Sequence, residues 1–152
     1  MNIIVGMFAV LALLTSVAQA KFGLVVKPTS VIDFGKTLNP DAAPYLFASK
    51  ISLEVTNKAA GAVPQWYLSL AANGNFISAS RPSLSMPLSR LAWRRTGTST
   101  YLTMTTVPAL VISGTSTGTF TYAIDFQLSP AWTDPAVNDY RADLVVLLTD
   151  TP

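Results

Sequence analysis

The chain has 152 residues, of which half are apolar and only 12% are charged, and its ten basic and eight acidic residues leave a net charge of +2. This composition excludes an intrinsically disordered chain, and the mild charge excludes the broad basic stripe of a nucleic-acid-binding protein. The chain contains no histidine and no cysteine. Catalysis by Ser-His-Asp or Cys-His groups, the usual zinc sites and disulfide bonds are therefore excluded as well.

The first twenty residues have the organisation of a signal peptide. An almost unbroken apolar run over residues 3–14 is followed by a more polar stretch that ends in Ala-Gln-Ala at 18–20. The run is too short to span a bilayer of about 30 Å as a helix, and small residues at the first and third places of the final triplet suit signal peptidase. We expect residues 1–20 to be removed and the protein to be exported to the periplasm or cell surface, without a stable membrane span; an uncleaved N-terminal anchor is the alternative.

From residue 22 onward, apolar residues recur at every second position, which is the period of a half-buried strand. Threonine and serine fill many alternate places, and turn-forming residues separate the runs at intervals of roughly ten residues. In chain order, the alternating runs are residues 22–26, 51–55, 66–70, 120–128 and 140–148. This pattern predicts a single all-β domain over residues 21–152, an antiparallel β-sandwich of about seven to nine strands, with a small closed barrel as the alternative.

A basic segment, PLSRLAWRRTG at residues 87–97, surrounds one tryptophan with arginines. The three arginines are Arg90, Arg94 and Arg95. On a period of two, Leu91 and Trp93 point to the core, the first two arginines point to the opposite face, and the third ends the strand. The arginines either lie in water, where they also discourage edge-to-edge pairing, or form a contact surface for a partner. A sugar or nucleic-acid platform is a third possibility, which the inward position of the aromatic residues disfavours.

Carboxylates are the main groups left for chemistry. The candidates for a glycosidase pair are Asp33, Glu54, Asp125, Asp134, Asp139 and Asp143. Asp125 lies inside a strongly apolar strand but with outward parity, so we expect a solvated or strand-edge carboxylate. Ser49 and Lys50 face opposite ways on a strand and do not form a dyad. Asp134, Asp139 and Asp143 could offer oxygen atoms to calcium, although their spacing matches no calcium loop. We predict no enzyme activity, no metal and no cofactor.

Tyr140 follows the Asp-Pro turn at residues 134–135. A tyrosine placed just after a corner can hydrogen-bond back to the backbone of the turn, as in a tyrosine corner. An ordinary aromatic residue at the start of a strand is the alternative interpretation.

Four short stretches together resemble the bacterial secreted immunoglobulin-like subunits of surfaces and pili, of the spore-coat-U-like or pilin-like type. They are VKPTSVIDFGKTLNPDA at 26–42, KISLEVTN at 50–57, MPLSRLAW at 86–93 and DPAVNDYRADLVVLL at 134–148. The resemblance implies an immunoglobulin-like β-sandwich with a structural role and no catalytic residues. This chain departs from the pattern in having no disulfide and in carrying Val137-Asn138 where a glycine is common.

Export, a β-rich core and the lack of catalytic groups predict a structural or assembly protein of the cell surface: a pilus, fibre or coat subunit, or an adhesive accessory. Assembly would proceed by strand addition, in which an extended segment of one subunit completes a neighbour's sheet. The segment KFGLVVK at residues 21–27 supplies the required alternation in Phe22, Leu24 and Val26. The alternative is that it forms the plain first strand of its own domain. The expected partners are copies of this chain or another surface subunit, and not nucleic acid.

A second hypothesis is a monomeric exported module that binds carbohydrate or a protein partner through loops at one end of the domain. The aromatic residues to consider are Tyr45, Phe47, Tyr101 and Trp132. Two or more of them on one exposed flat surface would favour stacking on a sugar, whereas burial would argue against it.

Overall fold

The computed structural model describes residues 6–7, 10–14, 22–27, 32–33, 39–58 and 65–150. The predicted cleavage site at 18–20 and part of the stretch 26–42 lie outside them. The strands of this part of the chain are β1 (Gly6–Met7), β2 (Val10–Leu14), β3 (Phe22–Lys27), β4 (Ile32–Asp33), β5 (Tyr45–Asn57), β6 (Trp66–Ala72), β7 (Phe76–Ser78), β8 (Ser85–Met86), β9 (Leu91–Arg95), β10 (Leu102–Thr103), β11 (Ala109–Gly114), β12 (Gly118–Leu128), β13 (Tyr140–Arg141) and β14 (Leu144–Thr149). Two short 3-10 helices span Pro40–Ala42 and Leu88–Arg90. The prediction of an all-β protein is confirmed for these residues, and none of their helices is long and apolar enough to cross a membrane.

Two larger sheets organise the described strands. The five-stranded sheet has the order β10-β9-β12-β5-β3 and is antiparallel throughout. The four-stranded sheet has the order β11-β6-β14-β2, in which β11, β6 and β14 are antiparallel and β2 runs parallel to β14. Two smaller sheets, β13-β7-β8 and β1-β4, complete the arrangement.

Both larger sheets contribute to one hydrophobic core, because β5 and β9 of the first sheet and β6 and β14 of the second direct buried side chains into it. In β5, Ile51, Leu53 and Val55 are completely buried, while the residues between them are half-buried. The largest completely buried side chains include Trp66 of the four-stranded sheet and Trp93 of the five-stranded sheet. Burying one Val, Leu, Ile, Phe or Met side chain contributes about 1.5–3 kcal/mol, so the alternating pattern supplies cohesion to a chain that has no cysteine.

One side of the core is closed by the segment that passes between the sheets. The Met104 amide donates to the carbonyl of Leu91 in β9 at 2.8 Å, and the Ala72 amide of β6 donates to the carbonyl of Thr105 at 3.0 Å. The Met104 side chain is itself buried in the core. Met104 and Thr105 are adjacent in the chain, and each bonds to a different sheet. They therefore join the two sheets on the side that carries β10 and β11.

The opposite side carries the edge strands β3 and β2. Each has a single ladder partner among the described strands, β5 for β3 and β14 for β2, and the two edge strands lie close to each other. We call this side the seam. It is held by the approach of two edge strands, and one of these comes from the predicted leader.

A bulge interrupts the long ladder between β5 and β12. Ile124 pairs with Ile51 and Phe126 pairs with Phe47, so Asp125 stands opposite three residues of β5. Ser49, the middle one of the three, has φ of 49°, in the left-handed region. Because a non-glycine residue there costs about 1–2 kcal/mol, the bulge needs a compensating contact, and Asp125 provides it.

Candidate functional site: the β14 edge

The strand β14 is held between two neighbours of opposite direction. β6 pairs with it in antiparallel register, and β2 pairs with it in parallel register from Leu144 opposite Val10 to Leu148 opposite Leu14. Leu144, Val146 and Leu148 are buried in the core. The residues between them, Val145 and Leu147, are half-buried. β14 is therefore a central strand only because β2 lies beside it.

The strand β2 belongs to the segment that the sequence assigns to the leader. Residues 10–14 lie within the predicted signal peptide, 1–20, and they form an edge of the four-stranded sheet. Among the described strands, no other one pairs with that side of β14. If the leader is removed, β14 presents unpaired N–H and C=O groups to its surroundings, which is the condition that promotes pairing with another strand.

The predicted donor residues lie in the other edge strand of the seam. β3 pairs antiparallel with β5 of its own chain, with Leu24 opposite Val55 and Val26 opposite Leu53. Phe22 and Val26 are buried and Leu24 is half-buried, whereas Val25, on the other face, is 42% exposed. In the single chain this segment is thus an edge strand of the five-stranded sheet.

Arg94 on β9 forms an ion pair with Asp125 on the neighbouring strand β12. The Arg94 Nε lies 3.0 Å from Asp125 Oδ2, and the other carboxylate oxygen accepts hydrogen bonds from the Ser49 amide at 2.9 Å and the Thr96 hydroxyl at 2.5 Å. The Arg94 guanidinium also stacks over the Tyr101 ring, 4.6 Å from its centroid. The carboxylate therefore joins the bulge in β5, the strand β9 and the turn that follows it.

The expectation that Asp125 is solvated is wrong, although its outward parity is correct. The residue is 3% exposed. Burial alone would raise the pKa of its carboxyl group, but the hydrogen bonds from Thr96, the Ser49 amide and Arg94 outweigh burial and hold the pKa below its usual value. The geometry gives this carboxylate a structural task, because all its partners are protein donors that fix the bulge.

Arg90 makes the second ion pair, with Asp134 in the loop after β12. Its Nε lies 3.0 Å from Oδ2 of Asp134 and its Nη2 lies 3.0 Å from Oδ1, so the contact is bidentate. Asp134 is buried and also accepts from the Ala131 amide at 2.7 Å. The interpretation of Arg90 and Arg94 as arginines in water is therefore wrong: both are about 70% covered and each is paired with a buried aspartate.

The third arginine of the segment, Arg95, ends β9 in a half-buried position. Burial raises the pKa of the nearby Tyr122 phenol, and the positive charge of Arg95 offsets part of that rise. The segment around Trp93 thus fastens β9 to its neighbours. The prediction that the three arginines form a contact surface for a partner remains a prediction.

The third aspartate network lies around Tyr140. Asp139 accepts from the Ser78 hydroxyl and the Ser80 amide, both at 2.6 Å, and these bonds hold its pKa below the usual value. The buried Tyr140 hydroxyl donates to the carbonyl of Pro135 at 2.9 Å, and burial raises its pKa. Of the two interpretations of Tyr140, the structure bears out the hydrogen bond back to its turn.

The aspartates considered for calcium do not form a common site in the described structure. Asp134 is bound to Arg90 and Asp139 to the serines near the end of β7. Residues 39–58 and 65–150, which include all three candidates, contain no group of three acidic side chains close enough to hold a metal ion. The carboxylates of Asp134 and Asp139 instead serve as acceptors for protein donors.

The aromatic residues considered for sugar binding are dispersed and mostly covered. Trp132 is 55% exposed, but its Nε1 donates to Asp41 at 2.8 Å. Tyr45, Phe47 and Tyr101 are half-buried. Within the side chains that the structure describes, Trp132 is the only exposed aromatic residue, so the second exposed ring required for a flat sugar platform is not found there.

No protein-family model matches the sequence, and no curated protein matches it either. The resemblance to secreted pilus and coat subunits consequently depends on the residues quoted above, and any functional conclusion depends on the geometry of this chain.

Sequence reasoning missed the β14 edge itself. One signal pointed to it: the places between Leu144, Val146 and Leu148 are apolar as well, so residues 144–148 read LVVLL. Continuous apolar runs are typical of strands covered on both faces, often with a parallel neighbour. The apolar run of the predicted leader, residues 3–14, has the same character. Because residues 1–20 have the pattern of a targeting signal, the sequence does not lead one to expect that they pair with β14.

Proposed function

We propose that the protein is an exported structural subunit of the cell surface, a component of a pilus, fibre or coat or an accessory to one, built as an immunoglobulin-like β-sandwich. The observation that carries this proposal is the pairing of β14 with residues 10–14. Removal of the leader during export would leave a folded domain with one open strand edge. Such an edge accepts an added strand through main-chain hydrogen bonds, while alternate side chains give specificity.

The proposed sandwich is supported by the distribution of the core. Strands of the five-stranded and four-stranded sheets place their buried side chains in one cluster. The bonds of Met104 and Thr105 join the sheets on one side, and the seam lies on the other. Once the leader is removed, a strand added at the seam would therefore restore the fourth strand beside β14 and also cover the core from that side.

The proposed donor is the N-terminal segment of the processed chain. β3 is an edge strand with one ladder partner, so it can leave its own sheet without breaking a second ladder among the described strands. Its inward residues, Phe22 and Val26, fill the core of their own domain in the single chain. Strand addition would instead place the same side chains beside β14 of a neighbouring subunit.

The proposal is tested by the mass and shape of residues 21–152. We expect light scattering to show heavy species that increase with concentration, and negative-stain images to show fibres. Deleting residues 21–27 should leave a folded monomer that does not assemble. A subunit that stays monomeric at every concentration, or one that assembles equally well without residues 21–27, would contradict the proposal.

A matched pair of substitutions separates strand insertion from general association. Val26 is buried, and its neighbour Val25 is 42% exposed on the opposite face. Val26→Ser removes an apolar side chain worth about 1.5–3 kcal/mol when buried, so it should weaken assembly by tenfold or more. Val25→Ser should leave the association midpoint within about twofold, with circular dichroism confirming that both variants fold.

A further inference from the structure

We propose that the leader strand Val10–Leu14 caps the β14 edge in the unprocessed chain, so that removal of the leader, rather than folding, makes the subunit competent to assemble. This inference rests on the proposed function, because it concerns the same β14 edge before the leader is removed. It concerns a segment that is ordinarily regarded as an export signal alone.

The first support is the register. All five residues of β2 pair with β14, from Val10 opposite Leu144 to Leu14 opposite Leu148. Each of the three buried residues of β14 therefore has a leader residue directly beside it in the ladder. The leader strand covers nearly the whole length of β14, and only Thr149 lies beyond the ladder.

The second support is the position of the cleavage site. β2 ends at Leu14 in the four-stranded sheet, and β3 begins at Phe22 in the five-stranded sheet. The bond between Ala20 and Lys21 lies in the intervening segment, so its hydrolysis cuts through none of the described strands. Signal peptidase would add one water across this bond, leaving a carboxylate on Ala20 and an ammonium group on Lys21.

The third support is that cleavage turns β2 from a tethered strand of the same chain into a separate peptide. While the leader is attached, a seven-residue connection holds β2 next to its site, because residues 15–21 separate the two strands. A tether of this length corresponds to a local concentration in the millimolar range. After cleavage, the five-residue strand must bind from solution. A six-residue donor strand carried by a neighbouring subunit can then compete for the same edge.

The test uses the full chain with residues 15–20 replaced by the recognition sequence of a site-specific protease. Before and after cutting, we would measure the mass by light scattering and the exchange of the Leu144–Thr149 amides by mass spectrometry. We expect the uncut chain to be monomeric with protected β14 amides. Cutting and dialysis should release the leader, raise exchange in β14 by about tenfold or more and start assembly. A synthetic peptide of residues 8–16 should reverse both effects.

A proline variant of the leader provides the matched control. Adjacent residues of a strand direct their N–H groups to opposite sides, so Ala12→Pro combined with Leu13→Pro removes one donor toward β14 whichever residue faces it. The same peptide with these two changes should fail to restore protection or block assembly. In the uncut chain, the two changes should allow assembly without cleavage.

The outcomes separate this inference from the proposed function. If cutting exposes β14 and the peptide covers it again, but no assembly follows, the cap is correct and the proposed function fails. If β14 amides exchange equally before and after release of the leader, the cap is refuted even where assembly occurs. Loss of protection throughout β5 and β12 after cutting would make β2 an integral strand of the fold, which would also overturn the inference.

Discussion

Replacement of Asp125 should destabilise the protein far more than replacement of an exposed carboxylate. In the folded chain, Asp125 accepts hydrogen bonds from the Ser49 amide, the Thr96 hydroxyl and the Arg94 guanidinium, and its side chain is 5% exposed. Asp125→Asn can keep its oxygen toward Ser49 and Thr96, but it turns an amide group toward Arg94. Asp125→Ala loses all three bonds.

The magnitudes follow from this geometry. A hydrogen bond to a charged group contributes about 1.5–3 kcal/mol. The Arg94 side chain is 29% exposed and can regain part of its hydration, so Asp125→Asn should cost about 1.5 kcal/mol. Asp125→Ala should cost about 3–5 kcal/mol, because it also leaves the bulge without its acceptor and Arg94 without its partner.

The assay is urea denaturation followed by tryptophan fluorescence, with thermal unfolding as a second measurement. A loss of 1 kcal/mol lowers the melting temperature by about 2–4 °C in a chain of this size. The control is Asp41→Asn, which alters an exposed bond to Trp132 and should change stability by about 0.5 kcal/mol or less. If Asp125→Ala costs no more than Asp41→Asn, Asp125 does not hold the bulge and our explanation of its burial is wrong.

Three further predictions concern single contacts. Asp125 and Asp139 have lowered pKa values in the folded chain, so the stability they contribute is complete above about pH 4 and is lost as the pH falls through the folded pKa. In urea titrations from pH 6 to below pH 3, the stability of the double variant Asp125→Asn and Asp139→Asn should fall less steeply than that of the original protein. Equal declines of stability with pH would contradict this. Tyr140→Phe removes the bond to the turn and should cost about 1 kcal/mol in the same urea assay; unchanged stability would assign the tyrosine to packing alone. Gly114→Ala would place a methyl group 2.5 Å from the Trp66 ring and should cost about 1–3 kcal/mol by thermal unfolding; a neutral result would show that the ring can move away.

Local alternation in the sequence was sufficient to predict the strands and much of the core. The inward positions of Leu91 and Trp93 and of the run from Ile51 to Val55 are observed as predicted. A strand buries every second side chain whatever its partner, so this information is present in short stretches. The bond from Tyr140 to its turn was likewise predictable, because it joins residues only five positions apart.

The long-range pairings could not be predicted in the same way. The partners of Arg90 and Arg94 lie 44 and 31 residues further along the chain, and nothing near the arginines specifies them. The burial of Asp125 depends on a bulge in a different strand, since the Ser49 amide reaches the carboxylate only because three residues of β5 oppose one of β12. The alternation of side chains predicts correctly on which face of the sheet Asp125 lies, but it does not predict how far that side chain is exposed to solvent.

The β14 edge shows a further limit of sequence reasoning. An apolar segment at the start of a chain is assigned to targeting because of its length and flanks, and these features say nothing about what the segment pairs with. The parallel ladder between residues 10–14 and β14 is visible only in three dimensions. It connects the predicted processing of the chain with the proposed mode of assembly.

The central claim is that subunits join by strand addition at the β14 edge. Its most direct test is hydrogen exchange of the Leu144–Thr149 amides in residues 21–152, compared between the assembled fraction and the monomeric fraction of one preparation. Strand addition predicts slow exchange of the β14 amides in assemblies and fast exchange in monomers, while the amides of β12, a central strand of the five-stranded sheet, exchange equally in both. Equal exchange of the β14 amides in the two fractions would mean that the subunits associate through another surface, and it would contradict the claim.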